Sequence, residues 1–179
     1  MNELSSKDAL HEQLIDWRHN GDHIALVPTT GNLHEGHLSL VKIARQHAER
    51  VVVSVFSHPN YGSGIDDPEE FSRVRQRDKR RLVQAKADAL FIPEVDMMYP
   101  FGIDSATSVT VPVLTEEFCG SVKPGHFNNV TTVITRLFSL VQPDVAIFGQ
   151  KDYQQQLIIR HLVEDLNLGI KIVSKVPND

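Results

Sequence analysis

Two histidines three residues apart, His34 and His37, are the pair in this sequence whose type and spacing most directly suggest chemistry. At that separation both imidazoles lie on one face of the first turn of a helix. Gly31 and Gly36 allow a tight turn and the close approach of a ligand, and the first amides of a helix attract anions. Because an apolar run at 23–27 precedes them, we predict a strand-turn-helix joint that binds phosphate.

Two other interpretations of the histidine pair stay open at this point. One is a zinc site, although such sites usually need three or four protein ligands and no third ligand lies nearby in the sequence. The other is a pair of surface histidines at the start of a helix. Phosphate binding fits the neighbouring glycines and amides better, so we expect no metal ion held by protein side chains.

A second set of chemical residues, Gly149, Lys151 and Asp152, comes directly after the apolar run 145–148. The Lys151 ammonium could reach phosphate oxygens, and Asp152 could accept a ribose hydroxyl or orient the lysine. Alone, a Lys-Asp dipeptide is more often an exposed ion pair. Combined with two imidazoles and a helix amino terminus, the lysine would stabilise charge that develops at an α-phosphate.

The composition limits the kind of protein that carries these residues. A length of 179 residues, with 41% hydrophobic and 23% charged residues, is typical of one globular domain. A formal net charge of -5 disfavours a general nucleic-acid binder, and the lone Cys119 cannot form an intrachain disulfide. No apolar run approaches the ~20 residues of a membrane span. We therefore expect a cytoplasmic protein without nucleic-acid or membrane partners.

Apolar periodicity places the helices and strands. The predicted helices are 5–20 with Ser5 as its cap, the helix starting at the histidine pair, 68–86, one capped by an asparagine at 128 or 129, and one carrying the apolar residues of 157–166. The predicted strands are 23–27, 51–56, 89–93, 108–113, 145–148 and 170–173. The basic residues between Arg73 and Lys86 predict a solvated helix face.

Alternating strands and helices with short joints predict a parallel sheet sandwiched by helices, a Rossmann-like α/β fold. Ligands of such sheets bind beyond the carboxyl ends of the strands. Three polar stretches follow predicted strands at that edge, namely 29–37, 57–64 and 149–155. We expect these stretches to converge on one pocket, with the glycine- and proline-containing loop 57–64 as its lid or wall.

The stretch His34-Glu35-Gly36-His37 resembles the HxGH signature of the nucleotidyltransferase superfamily, which includes class I aminoacyl-tRNA synthetases. A wider set of stretches resembles the pantoate-β-alanine ligase (pantothenate synthetase) family in order and spacing, at 27–37, 53–56, 124–127 and 148–155 with 159–160. The resemblance implies that ATP activates pantoate to an acyl adenylate and that pyrophosphate leaves in this first step. In the second step the acyl adenylate condenses with β-alanine to give pantothenate and AMP. The resemblance also implies Mg²⁺ with the ATP and a homodimer.

The resemblance also assigns roles to individual residues, position by position. Catalysis falls to His34, His37 and Lys151. Contacts to ATP fall to Thr29, Thr30, Gly31, His34, Gly36, His37, Gly149, Lys151 and Asp152. Contacts to the acid substrate fall to Thr30, His58, Tyr61 and Gln155. The two histidines are expected to stabilise the phosphate during adenylyl transfer.

Several positions depart from the family pattern, and they cluster where the acid should bind. Thr30 stands for a methionine, His58 for an asparagine and Tyr61 for a glutamine. Gln150 stands for a glutamate and Asn129 for a glycine. Losing an amide that holds a hydroxy acid can change specificity strongly. A related adenylate-forming ligase for another carboxylic acid therefore stays an alternative, as does a nucleotide-binding module without turnover.

The sequence ends at Asp179, before the Ser-Ser-Arg-Asn loop and the small carboxyl-terminal lid domain of the resembling family. We therefore interpret residues 1–179 as one nucleotide-binding, Rossmann-like domain without that lid. Closure of such a lid excludes water and completes the electrostatic site. We expect the isolated domain to be weakly active or inactive.

Overall fold

The computed structural model describes residues 1–112, 126–150 and 153–175. Along these residues, strands and helices alternate as the sequence predicts, except that two described helices lie between the fourth and fifth strands. Their order is β1 (Asn2–Leu4), α1 (Lys7–His19), β2 (Ile24–Thr29), α2 (Glu35–His47), β3 (Arg50–Val55), α3 (Pro68–Gln84), β4 (Ala89–Phe91), α4 (Val95–Met98), α5 (His126–Val141), β5 (Val145–Phe148), α6 (Tyr153–Asp165) and β6 (Lys171–Ser174).

These six strands join in one parallel sheet with the order β1-β4-β3-β2-β5-β6. The longest ladder pairs β2 with β3, from Ile24 opposite Arg50 to Thr29 opposite Val55. From β2 the chain adds β3 and β4 on one side, and then β5 and β6 on the other. A reversal of strand order of this kind creates a crevice in which ligands bind. The predicted Rossmann-like α/β fold is confirmed.

The sheet is apolar on both faces because helices cover both. Along β2, Ile24 and Leu26 belong to one buried cluster, whereas Ala25 and Val27 belong to another. The first cluster includes apolar residues of α1, α5 and α6, and the second includes those of α2 and α3. A strand buried on both faces has no polar side, which explains why the central strands are continuous apolar runs in the sequence.

The predicted strand at 108–113 is wrong over its described part, since residues 108–112 form no strand. Their backbone bonds to side chains of α5 instead of a neighbouring strand: the Val109 amide donates to Thr132 Oγ1 at 3.0 Å, and the Val109 carbonyl accepts from Thr131 Oγ1 at 2.5 Å. Val109 and Val111 pack in a small cluster with apolar residues of α5 and α6. The alternating pattern therefore reflects packing on helices.

Three smaller predictions also need correction. Strand β1 was not predicted because its three residues, paired with β4 at the edge of the sheet, are too few to show a period. Helix α1 is capped by Ser6 and not by Ser5, since Ser6 Oγ accepts from the amide three residues further on at 3.1 Å. Helix α5 begins at His126, so Asn128 and Asn129 lie inside it and do not cap it.

Candidate functional site

A cavity of about 860 Å³ opens at the carboxyl edge of the sheet, where β2, β3 and β5 end beside α5. The three polar stretches that we predicted to converge all contribute to its wall, so this prediction is confirmed. An apolar strip of α5 forms another part of the wall. The lining residues from the three stretches are Thr29, Thr30, His34, Gly36, His37, Ser57, His58, Tyr61, Gly62, Gly149, Gln150 and Gln155.

The turn between β2 and α2 brings both histidines to the cavity. Gly31 and Asn32 have φ angles of 88° and 51°, in the left-handed region that glycine adopts freely and asparagine tolerates. At Gly36 the reason for glycine is close approach, because a Cβ there would lie 2.7 Å from Cε1 of His34. The group that approaches this glycine is therefore the protein's own imidazole.

The imidazoles of His34 and His37 are fixed by hydrogen bonds to backbone amides. His34 Nδ1 accepts from the Gly36 amide at 3.0 Å, and His37 Nδ1 accepts from the His34 amide at 3.2 Å. The ring centroids are 4.1 Å apart. A ring nitrogen that accepts carries no proton, so in the neutral form each ring has its proton on Nε2. Both residues line the cavity, and Nε2 is the ring nitrogen that can donate in each.

This arrangement shows that two backbone amides at the start of α2 already have partners within the protein. We predicted that the first amides of α2 face an anion directly. In the structure the amides of His34 and Gly36 donate to the two imidazoles instead. Since an imidazole nitrogen can satisfy the open amides at the start of a helix, the two histidines cap α2 as well as lining the cavity.

The residues at the end of β2 divide between bracing the turn and facing the cavity. Thr29 is buried, and its Oγ1 donates to the Ser54 carbonyl at 2.8 Å and accepts from the Gly31 amide at 3.3 Å. Thr30 is exposed and lines the cavity. Gly31 lines a smaller neighbouring cavity of about 70 Å³ to which Thr30 also contributes. Of these three predicted ATP contacts, Thr30 is the best placed.

The end of β5 forms another part of the cavity wall. Gly149 and Gln150 line the cavity there, and Gln155 reaches it from the first turn of α6. The predicted residues Lys151 and Asp152 lie outside the described part of the chain. The strand end is nevertheless well anchored, because the buried Gln156 side chain donates through Nε2 to the Gly149 carbonyl at 2.5 Å.

Lys175 is a cavity residue that we did not predict. It follows β6, lines the cavity, and donates from Nζ to Ser39 Oγ at 2.8 Å. Ser39 Oγ in turn donates to the Gly36 carbonyl at 2.6 Å, so the ammonium is tied to the helix of the histidine pair. No motif surrounds this lysine. The signal that could have found it is its position just after a predicted strand at the ligand-binding edge of the sheet.

A further part of the cavity wall, formed by the loop after β3 and by α5, contains positions where this chain departs from the family pattern. The His58 ring lies 5.6 Å from the Tyr61 ring and 5.7 Å from the Tyr99 ring, centroid to centroid. Tyr61 Oη accepts from Asn129 Nδ2 at 2.8 Å, which links the loop after β3 to α5. Both partners of this bond are departures. The substitution of a glutamine by Tyr61 and that of a glycine by Asn129 therefore form one contact.

Burial controls the charge on this wall. His58 is 8% exposed, and burial lowers the pKa of its imidazole from the ordinary value of 6.5. Its Nδ1 accepts from the Asn60 amide at 3.2 Å, so the neutral ring carries its proton on Nε2. Burial also raises the pKa of the Tyr99 hydroxyl, against the opposing effect of the Arg136 guanidinium. His58 therefore brings no positive charge to this wall at neutral pH.

The described residues contain no group of three or more histidine, cysteine, aspartate or glutamate side chains close enough to hold a metal ion. The rings of His34 and His37 accept hydrogen bonds from backbone amides, which are not zinc ligands. Within the same described ranges, no helix has the length and apolar character that crossing a bilayer requires.

Comparison with known proteins supplies the family. The family model for pantoate-beta-alanine ligase matches residues 2–177. The pantothenate synthetase of Shewanella amazonensis is 46% identical over 166 residues, covering 93% of this chain and 59% of that protein. The crystal structure of pantothenate synthetase from Thermus thermophilus has 43% identity and a TM-score of 0.83, covering 98% of this chain and 61% of that one.

A third similar structure carries ligands. The pantoate-beta-alanine ligase of Francisella tularensis, complexed with beta-gamma ATP and beta-alanine, has 29% identity and a TM-score of 0.84 over 99% of this chain and 69% of its own. The chain spans about three fifths of the length of the relatives named first, 59% and 61%. With its family match, its HxGH turn and its nucleotidyltransferase-like sheet, the chain belongs to the pantoate-beta-alanine ligase family.

Proposed function

We propose that this cavity binds ATP beside pantoate and transfers AMP to the pantoate carboxylate, after which β-alanine takes the acyl group to give pantothenate. The observation that carries the proposal is the anchored pair of imidazoles. His34 and His37 each use Nδ1 to accept from a backbone amide, which places the ring proton on Nε2, on a wall shared with the ends of β3 and β5. The family membership and the ATP and β-alanine bound by the Francisella tularensis relative support it.

The chemistry would proceed in two steps. A carboxylate oxygen of the acid attacks the α-phosphorus of ATP, the bond to the bridging oxygen of the β-phosphate breaks, and pyrophosphate leaves. The amine of β-alanine then attacks the acyl carbon, and AMP leaves with the oxygen that joined it to the acyl group. Negative charge grows on the α-phosphate oxygens in the first step. Donors from His34 and His37 placed in advance would stabilise that charge.

Other residues would hold the nucleotide and keep water out. Lys175 brings an ammonium to the wall that holds the motif histidines. We propose that it binds phosphate oxygens together with Lys151, and that Asp152 accepts a ribose hydroxyl or orients Lys151; the family resemblance assigns both of these residues to the nucleotide. The apolar strip of α5, which includes Val133, Ile134 and Leu137, faces the same cavity and would exclude water from the reacting atoms.

We propose that Mg²⁺ arrives with the ATP. Mg²⁺ commonly keeps several waters and binds through substrate phosphates with one or two carboxylates, so it does not require a group of three protein ligands. Among the described residues no such group exists. When bound, Mg²⁺ would neutralise part of the charge on the phosphates. No residue of the described chain is assigned to it.

A second candidate function is favoured by the wall at Tyr61. There the hydroxyl of Tyr61 and the amide of Asn129 bond to each other, and His58 is buried and neutral. Polar groups that satisfy each other are less available to a hydroxy acid, so the chain could activate a different carboxylic acid. Comparing wild type with a variant that carries His58→Asn and Tyr61→Gln separates the two: pantoate use should rise in the variant only if these residues disfavour pantoate.

Three further properties are proposed from family membership. We propose that residues 1–179 act as the nucleotide-binding part of the protein, that the protein works in the cytoplasm, and that it forms a homodimer. Light scattering coupled to gel filtration tests the last of these directly. A mass equal to the 20.1 kDa of one chain at micromolar concentration would exclude a stable dimer of this chain.

The exchange of labelled pyrophosphate into ATP tests the proposed reaction. Adenylate formation is reversible, so exchange should require the acid and should not require β-alanine. Pantoate should support exchange most strongly among a panel of hydroxy acids of different size. Exchange with another acid but not with pantoate would favour the related ligase. ATP binding without exchange for any acid, in a chain that also carries the carboxyl-terminal lid domain, would favour a nucleotide-binding module.

A further inference from the structure

Helix α3 holds the residue that precedes the first motif histidine. The amide of Leu33 donates to Asp78 Oδ1 at 2.9 Å, and the carbonyl of Leu33 accepts from Arg81 NH1 at 2.5 Å. Asp78 and Arg81 are three residues apart, so they lie on one face of α3. Both backbone polar groups of Leu33 are thus held by side chains of another element. We call these two hydrogen bonds the Leu33 clamp.

The buried carboxylate of Asp78 indicates that the Leu33 clamp is more than a packing contact. Asp78 is 5% exposed and lines the smaller cavity beside the apolar side chains of Val55, Leu90 and Ile92. Burying a carboxylate is unfavourable unless it is hydrogen-bonded or paired. Here it accepts from Leu33, and the Arg77 guanidinium lies 3.7 Å from the same oxygen. A packing role alone would be filled as well by an apolar side chain, so the bond to Leu33 explains the charged one.

The turn that the clamp holds has two consecutive residues in the left-handed region of the backbone. Gly31 and Asn32, which come directly before Leu33, both have positive φ angles. Arg77 donates to Asn32 Oδ1 at 2.5 Å, which adds a third contact from the same face of α3. A non-glycine residue in the left-handed region persists when its surroundings hold it there. Helix α3 supplies those surroundings.

The clamp acts on the histidines through one peptide unit. Leu33 is 1% exposed and is followed by His34, whose own amide donates to the His37 ring. A displacement of Leu33 therefore moves the His34 amide and, with it, the bond that fixes the His37 imidazole. Helix α3 also begins just after the loop that carries His58 and Tyr61. It thus connects the turn before His34 with the loop that carries His58 and Tyr61.

We propose that Asp78 is a positioning residue: through Leu33 it holds His34 and His37 in the tautomer and orientation that the adenylyl transfer uses, with Arg81 as its partner. The link to catalysis rests on the proposed function, whereas the link to the imidazoles does not. The basic residues of α3 that we expected to form a solvated face are therefore partly structural, since Arg77 and Arg81 hold the turn before the motif.

The test compares Asp78→Ala with Asp78→Asn and with a matched control. Asp78→Ala removes the acceptor of the Leu33 amide, whereas the amide oxygen of Asp78→Asn can still accept. The control is Asp144→Ala, which removes a similar carboxylate bond to the amide of the buried Ile24, 2.8 Å long, at the opposite end of β2. Readouts are the ¹⁵N spectra of the His34 and His37 rings and the kinetics of acid-dependent exchange.

We expect Asp78→Ala to move the two rings from the Nε2–H tautomer towards a mixture, and to lower kcat for exchange by roughly tenfold to a hundredfold. The KM for ATP should stay within about twofold, because the rings act on charge that grows in the transition state. Asp78→Asn should keep both properties. Asp144→Ala should leave the ring spectra and kcat unchanged even if it lowers stability.

Unchanged ring spectra in Asp78→Ala would overturn the proposal, and so would an equal change in Asp144→Ala. If Asp78→Ala does not fold, Arg81→Met replaces it. That variant keeps the side-chain stem and removes the donor to the Leu33 carbonyl, so it should shift the ring spectra in the same direction, and unchanged spectra would again overturn the proposal. If no acid supports exchange even in a chain that also carries the carboxyl-terminal lid domain, the proposed function fails, whereas the ring spectra still decide the clamp.

Discussion

Two walls of the cavity are built by different kinds of contact. On the side of His34, the bonds join residues two or three apart, such as the Gly36 amide to His34 and the His34 amide to His37. On the side of Tyr61, the decisive bond joins Tyr61 to Asn129 across 68 positions of sequence. The stretch from His34 to His37 matches the HxGH motif, whereas three departures from the family pattern, His58, Tyr61 and Asn129, lie on the second side.

This difference determines how the effect of a substitution can be read from the sequence on each side of the cavity. A change within a local hydrogen-bonded turn removes a bond whose partners are visible in the motif itself. A change on the second wall alters a contact whose partner lies on another element. Tyr61 and Asn129, taken one at a time, are two separate losses from the family pattern, but in the fold they form one bond. Predictions about the first wall are therefore made for single residues, and those about the second for pairs.

The largest expected effect is on the first wall. Replacing both His34 and His37 by alanine should lower acid-dependent exchange by roughly a hundredfold or more, since both proposed donors to the α-phosphate are lost. ATP affinity measured by calorimetry should change by less than about threefold. His47→Ala, at the other end of the same helix, is the control and should leave both unchanged. A double variant with normal exchange would remove the histidines from the mechanism.

Lys175 should matter for binding more than for chemistry. Lys175→Ala removes a cation tied to Ser39 on the cavity wall and should weaken ATP binding about tenfold, or about 1.5 kcal/mol. Lys171→Ala removes an exposed lysine from the same strand region and should have no effect. Equal ATP affinity of wild type and Lys175→Ala, measured by calorimetry, would show that this lysine only braces Ser39.

The second wall should show coupling. Tyr61→Phe and Asn129→Ala each break the bond between the loop after β3 and α5, so the double variant should be little worse than either single one. The interaction term in the KM for the acid should be about 0.5–1.5 kcal/mol, with none in the KM for ATP. Tyr153→Phe, on an exposed tyrosine, is the control. Strictly additive effects would mean that the bond does not shape the acid site.

The smallest expected effect is a pH dependence of stability from His58. Burial lowers the pKa of its imidazole, so between the lowered value and 6.5 the unfolded chain binds a proton that the folded chain does not. Unfolding free energy should therefore fall as pH drops through this window, with a slope of at most about 1.4 kcal/mol per pH unit. His58→Asn should flatten the slope between pH 7.5 and 5.0 in urea melts, and His47→Asn should not. An identical slope in His58→Asn would exclude this assignment.

Much of the fold was accessible from the sequence for a physical reason. Strands buried on both faces appear as continuous apolar runs, and the parallel sheet that they form gathers its polar loops at one edge. This is why the loops after β2, β3 and β5 could be placed in one site before any coordinates were known. The edge strand β1 is too short, with three residues, to give such a signal. The segment at 108–112 gave a misleading one, because its alternating residues pack on helices and its backbone bonds to threonines of α5.

The residues of the candidate site also divide into those that the sequence predicted and those that it did not. His34, Gly36 and His37 were predicted because their bonds are local, although the imidazoles turned out to cap the helix amides themselves. Lys175 and Asp78 were not predicted, since each acts through a residue far away in sequence, Ser39 in one case and Leu33 in the other. The roles of Lys151 and Asp152 stay predictions from the family resemblance.

The most direct test of the proposed reaction follows one oxygen atom. Pantoate labelled with ¹⁸O in both carboxylate oxygens is incubated with this protein, ATP and β-alanine, and the products are analysed by mass spectrometry. If the carboxylate attacks the α-phosphorus, each AMP formed should carry one ¹⁸O, and pyrophosphate should carry none. Formation of ADP with ¹⁸O in inorganic phosphate, or of AMP without label, would contradict adenylyl transfer at this cavity.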